Sequence, residues 1–88
     1  MNSKIAAEIQ AEQDHGRAKY GRGPDDIEHD DSHSEDEWHM YIAEHNDRAR
    51  LLTPVSRRQR LIAVAGLAVS AIEASDRQRL VANKQAEP

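Results

Sequence analysis

The stretch LIAVAGLAVSAI, from Leu61 to Ile72, decides the fold. It holds 12 successive residues without a charge, well short of the roughly 20 that cross a bilayer. Period-2 alternation is absent and alanine is frequent, so the stretch reads as a helix apolar on most sides rather than a strand. Working outward, Ser56 is a good N-cap, and the helix spans about 57–82. Arg57, Arg58 and Arg60 open it, at the end where the helix dipole disfavours cations, which points to an anionic partner.

Thr53-Pro54 ends a preceding helix over 35–52, because the residue before proline is pushed out of the α region. That helix starts at Ser34-Glu35-Asp36-Glu37, a capping box. Trp38, Ile42, His45, Ala49 and Leu52 form its apolar stripe at helical spacing. A first helix covers about 4–20, capped by Asn2 or Ser3. Ile5, Ala6 and Ile9 give it little to bury, Gly16 weakens its second half, and Gly21-Arg22-Gly23-Pro24 ends it. Between helices one and two, residues 21–34 form a long acidic loop rich in Gly, Pro and Asp. The expected fold is all-α, a single domain over 1–88 built as a three-helix antiparallel bundle.

Composition sets limits on this picture. A chain of 88 residues buries only about 60–65% of its unfolded surface. With one Trp, two Tyr and no Phe, its core rests on Ala, Val, Ile and Leu. A thin core of this kind predicts self-association as a homodimer or higher homo-oligomer, most simply an antiparallel dimer with closed symmetry. The absence of cysteine excludes disulfides and thiolate metal clusters. The first 30 residues lack the apolar core of a signal peptide, and a soluble protein is expected. The net charge of −4 disfavours direct nucleic-acid binding. That total is unevenly spread: residues 1–54 hold 13 acids against 6 bases, and 8 of those acids fall between Asp25 and Glu37.

Several groups invite chemistry. On the third helix, Glu73 and Asp76 fall on the stripe shared by Ile62, Val69 and Leu80, where carboxylates need partners. Their i, i+3 spacing suits Mg²⁺ or Mn²⁺, or else Arg77 and Arg79 solvate them. On the first helix, Glu8, Glu12 and His15 share a face and would supply further carboxylates across a cleft. In the loop, His29 and His33 are interleaved with carboxylates, a pattern for a divalent metal or for a solvated acidic run. His45 lies on the apolar stripe of helix two as a core histidine or a ligand. Trp38 and Tyr41 are core and rim residues, or else stack on a base, since scarce aromatics near basic side chains suit a nucleotide.

In order along the chain, Glu8-x3-Glu12-Gln13-Asp14, His29-Asp30-Asp31-Ser32-His33, Glu37-Trp38, His45, Arg48-Ala49 and Arg58-x-Arg60-Leu61-Ile62 through Glu73-x-x-Asp76-Arg77 resemble small helical proteins of tailed phages and prophages. The resemblance covers residues 5–79 and implies the cytoplasm of an infected or lysogenic bacterial host. More distantly, the acidic helix faces and Glu73-x-x-Asp76 are similar to all-α (MazG-like) nucleotide pyrophosphohydrolases. That family holds Mg²⁺ through two acidic motifs. Glu73 and Asp76 match the second; for the first the candidates are Glu8 with Glu12, or Glu37 with Glu44, and neither pair has the family's dense spacing.

Two functions follow as expectations. In the first, the protein binds a phosphorylated nucleotide, sequestering it against host defence or hydrolysing it with a divalent metal. Arg48, Arg58 and Arg60 then neutralise phosphate beside Trp38, Tyr41 and His45, and Glu73, Asp76, Glu8, Glu12, His29 and His33 are candidate metal ligands. In the second, the acidic segment 25–37 docks on a basic groove of a host defence or nucleic-acid enzyme as an inhibitor or adaptor.

Overall fold

A computed structural model describes residues 2–23, 26–51 and 53–86, with side chains through Ala82. Four helices occupy it: α1 Ser3–Tyr20, α2 Ile27–Asp31, α3 Glu35–Ala49 and α4 Pro54–Ala86. No strand occurs among the described residues, and the all-α expectation holds.

α4 is the spine. Its 33 residues extend about 50 Å at 1.5 Å per residue, close to the 54 Å long axis of the molecule. α1, α2 and α3 all pack on α4, and α1 and α3 do not pack on each other. Two helices resting on a third without meeting leave a cleft between them, floored by α4.

Each start has a local cause. Asn2 Oδ1 accepts from the backbone N–H of Lys4 at 2.8 Å and opens α1. The capping box at α3 forms in both directions, Glu37 N–H to Ser34 Oγ at 3.2 Å and Ser34 N–H to Glu37 Oε1 at 3.0 Å. α4 begins at Pro54, ahead of the expected residue 57. Proline is suited to a first helical position, where its missing N–H leaves nothing unsatisfied. Thr53 Oγ1 then accepts from Ser56 N–H at 3.4 Å. The segment expected as loop contains α2, capped by Asp26, whose carboxylate takes the His29 N–H at 3.1 Å. Pro24, Asp25 and Leu52, each part of an expectation above, lie outside the described residues.

The face that α4 buries differs from the expected one. Ala63, Gly66, Ser70 and Ala74 are its buried residues, while Glu73 and Asp76 are exposed and Ile72 and Leu80 are each 61% exposed. Residues 61–72 are apolar nearly all round, so hydrophobicity gives the helix no preferred phase. Small side chains let α1 approach most closely, and steric fit sets the rotation. A Cβ on Gly66 would lie 3.4 Å from Glu12 Cγ and 3.7 Å from the Ile9 carbonyl. The core is correspondingly thin: Ile9, Trp38, Ala49, Ala63 and Ala74 are its buried apolar residues among those described.

Polar contacts make up part of the difference. Buried Gln13 on α1 donates to Ser70 Oγ and to Glu73 Oε1, both at 2.9 Å. Two arginines hold α2. Arg17 of α1 donates through Nε to Asp30 at 2.9 Å, and Arg77 of α4 forks onto Asp31 at 2.7 and 3.0 Å.

Candidate functional site

The cleft between α1, α2 and α3 on the α4 floor has a volume of about 1080 Å³, near the upper end for small-molecule sites. Its walls hold Arg17, Lys19, Arg48 and Arg60, four of the five histidines (His15, His29, His33 and His45), and Tyr20, Trp38 and Tyr41. Glu12, Asp30 and Glu44 are its acids. On a chain of net charge −4 the cleft is therefore locally basic.

The pairing of its cations matters more than their number. Arg17, Arg22, Arg50, Arg58 and Arg77 each reach a carboxylate. Arg48, Arg60 and Lys19 form no ion pair among the described residues, and all three line the cleft. Lys19 sits over the Tyr20 ring, 5.1 Å from its centroid.

Arg60 Nη1 lies 3.0 Å from His45 Nδ1. A guanidinium can only donate, so Nδ1 accepts and the ring proton is on Nε2. Burial, followed by the charges of Arg60 and Arg48, pushes the His45 pKa below its ordinary value, with the same consequence of a neutral ring. His45 thus presents an N–H donor close to two guanidinium groups that lack carboxylates.

An aromatic wall completes the site. His33 meets Trp38 edge-on at 5.0 Å, Tyr41 at 5.3 Å and His29 at 4.9 Å between centroids. Trp38 is buried behind this group, while Tyr41 is half-buried and Tyr20 is 68% exposed. Loss of solvent, then the Glu37 carboxylate, raises the Tyr41 pKa, so its hydroxyl keeps its proton. Rings of this kind offer faces to a planar heterocycle, and the arginines and His45 offer donors to an oxyanion.

The expected ligand residues Trp38, Tyr41, His45, Arg48 and Arg60 are brought together in the cleft. Arg58 is outside it, donating to both carboxylate oxygens of Glu8 at 2.6 and 3.1 Å. The expected metal ligands are dispersed. Glu8 is engaged by Arg58, Glu73 accepts from Gln13, Asp76 is exposed, and Glu12 packs beside Gly66. His29 and His33 touch each other by their ring edges. Among the described residues no three His, Asp or Glu side chains come together in an arrangement for a metal ion. Arg17, Lys19 and Tyr20 belong to the site although their sequence pattern singles out none of them. Lys19 follows His15 by one turn on the same face of the helix, and no such spacing marks Arg17 or Tyr20.

The fold and site together define an all-helical protein with a basic, aromatic-walled cleft. No family model, curated protein or solved structure matches the chain. Among the described residues no helix is long and apolar enough to cross a membrane.

Proposed function

We propose that the cleft binds a phosphorylated nucleotide, with Arg48, Arg60 and the Nε2–H of His45 on the phosphates and the Tyr20 and Tyr41 rings against the base. The observation that carries this reading is the gathering of Arg48, Arg60 and Lys19, without carboxylate partners among the described residues, in one cleft. Binding without turnover, as in sequestration of a host nucleotide signal by a phage-type protein, needs no metal. It is the form of the proposal that the side chains support best. Self-association belongs to it as well, because Leu61, Ile72 and Leu80 are each more than half exposed.

The acidic-segment reading has less support. Asp26 and Glu28 are taken by Arg22, Asp30 by Arg17, Asp31 by Arg77 and Glu37 by His33. Among the described residues of the segment, Glu35 and Asp36 are the carboxylates without such a contact.

Calorimetric titration with ATP, GTP and inorganic triphosphate tests the proposal. Arg60→Gln and Arg48→Gln each remove charge-assisted donors, and a loss of about tenfold in affinity is expected for either. Arg58→Gln, outside the cleft, should bind as the parent does. The absence of heat with any of the three, or equal binding by all variants, overturns it.

A further inference from the structure

Gln13 carries a hydrogen-bonding capacity that the fold does not use. The residue is 7% exposed. Its amide nitrogen spends both hydrogens, one on Ser70 Oγ and one on Glu73 Oε1, each at 2.9 Å. The oxygen of the same amide, Oε1, accepts no hydrogen bond from a described residue. Among those residues no side-chain nitrogen or oxygen sealed from solvent lacks a partner. Oε1 is therefore open to space, and the space that Gln13 lines is the cleft.

The orientation of the amide has one cause. A serine hydroxyl either donates or accepts, so Ser70 tolerates both ends of Gln13, whereas a carboxylate only accepts. Glu73 thus turns Nε2 toward itself and leaves Oε1 for the cleft. Glu73 itself is exposed and stands outside the cleft wall.

Position along the cleft says what meets Oε1. α1 runs the same way as α4, with Glu8 meeting Arg58 and Gln13 meeting Ser70. Ser70 is ten residues beyond Arg60 on the floor, about 15 Å along the axis. α3 runs the opposite way, since His45 meets Arg60 and a short turn joins α3 to α4. Trp38 and Tyr41 therefore lie toward the Ser70 end. Phosphates held by Arg48, Arg60 and His45 leave the base beside the aromatic wall and Gln13.

We infer that Gln13 reads the base: Oε1 accepts a hydrogen bond from an N–H on its polar edge, such as the amino group of adenine. Glu73 is the positioning residue that fixes which end of the amide the base meets. This inference rests on the nucleotide reading and names the ligand class within it, a nucleotide whose base presents an N–H to the cleft floor. A buried acceptor left without a donor costs affinity, so the site discriminates against a base that lacks the N–H.

Calorimetry on the parent protein with ATP and with purine riboside triphosphate, in which hydrogen replaces the 6-amino group, tests it. The base of the second ligand has no N–H, and it should bind about tenfold more weakly. Glu73→Gln sets beside Gln13 an amide that can donate or accept. Gln13 is then free to turn over and offer Nε2–H to a ring nitrogen of the analogue. With about half of the amides still presenting Oε1, ATP should lose no more than about twofold. The preference for ATP should fall below about threefold, with the helical circular dichroism retained. A parent protein that binds the two ligands equally, or a Glu73→Gln protein that keeps the full preference, overturns the inference and leaves nucleotide binding standing. No heat with ATP overturns both.

Discussion

Truncating Arg17 to alanine should bring the protein close to unfolding. The side chains of Arg17 and Asp30 are only 12% and 6% exposed, and Asp30 Oδ2 receives Nε at 2.9 Å and a terminal amino group at 2.8 Å. Removing the guanidinium leaves the buried Asp30 carboxylate without its partner, a change that costs about 3–5 kcal/mol. A chain of 88 residues has a total stability of about 4–13 kcal/mol, so the loss is about a quarter of it or more. The Arg77–Asp31 fork is the internal control. Its side chains are 32% and 36% exposed, water takes up part of the loss, and Arg77→Ala should cost about 1 kcal/mol. Replacing both members of the buried pair, as in Arg17→Met with Asp30→Leu, should recover most of the stability because no charge is stranded. Urea denaturation followed by far-ultraviolet circular dichroism measures all four proteins. Arg17→Ala costing less than about 1 kcal/mol, or no more than Arg77→Ala, would refute the view that polar clamps stand in for a thin core.

Three further outcomes are expected. Ser34→Ala removes the Oγ that accepts the Glu37 N–H in the α3 capping box and should cost about 1 kcal/mol in the same denaturation assay; no change would show that packing alone sets the start of α3. Gly16→Ala should stabilise by about 0.5–1 kcal/mol, since nothing lies within 4 Å of the added Cβ and glycine is a poor helix former. A destabilised Gly16→Ala would mean that the cleft wall is tighter than described. His45 is held below its ordinary pKa of 6.5 by burial and by Arg60 and Arg48. The unfolded chain therefore takes up a proton first as pH falls. The stability His45 contributes is present above pH 6.5 and is lost as pH drops through the depressed folded-state value. His45→Gln should flatten the stability–pH curve in that window, and an unchanged slope would contradict the neutral, proton-accepting ring.

Local signals were legible in the sequence where they depend on a few adjacent residues. The capping box at Ser34, the helix start near Asn2 and the stripe through Trp38, Ile42 and Ala49 are of this kind. Long-range choices were not. α2 forms where Gly, Pro and Asp suggest a loop, because Arg17 and Arg77 reach Asp30 and Asp31 from 13 and 46 residues away. The rotation of α4 was misread because an apolar run with no polar side gives no phase, and the close approach at Gly66 depends on α1. Of the candidate site, Trp38, Tyr41, His45, Arg48 and Arg60 were readable as an aromatic and basic group. That Arg58 would be taken by Glu8 depends on a contact spanning 50 residues.

The central claim concerns one cleft, and amide and side-chain shift mapping by nuclear magnetic resonance during titration with a nucleoside triphosphate addresses it directly. Trp38 is the single tryptophan, so its indole N–H is an unambiguous reporter of the aromatic wall. The account predicts saturable shifts at Trp38, Tyr41, His45, Arg48 and Arg60, with Leu61 and Ile72 on the far face of α4 unmoved. Shifts confined to the outer face or to Glu35 and Asp36, or none at all, would contradict it.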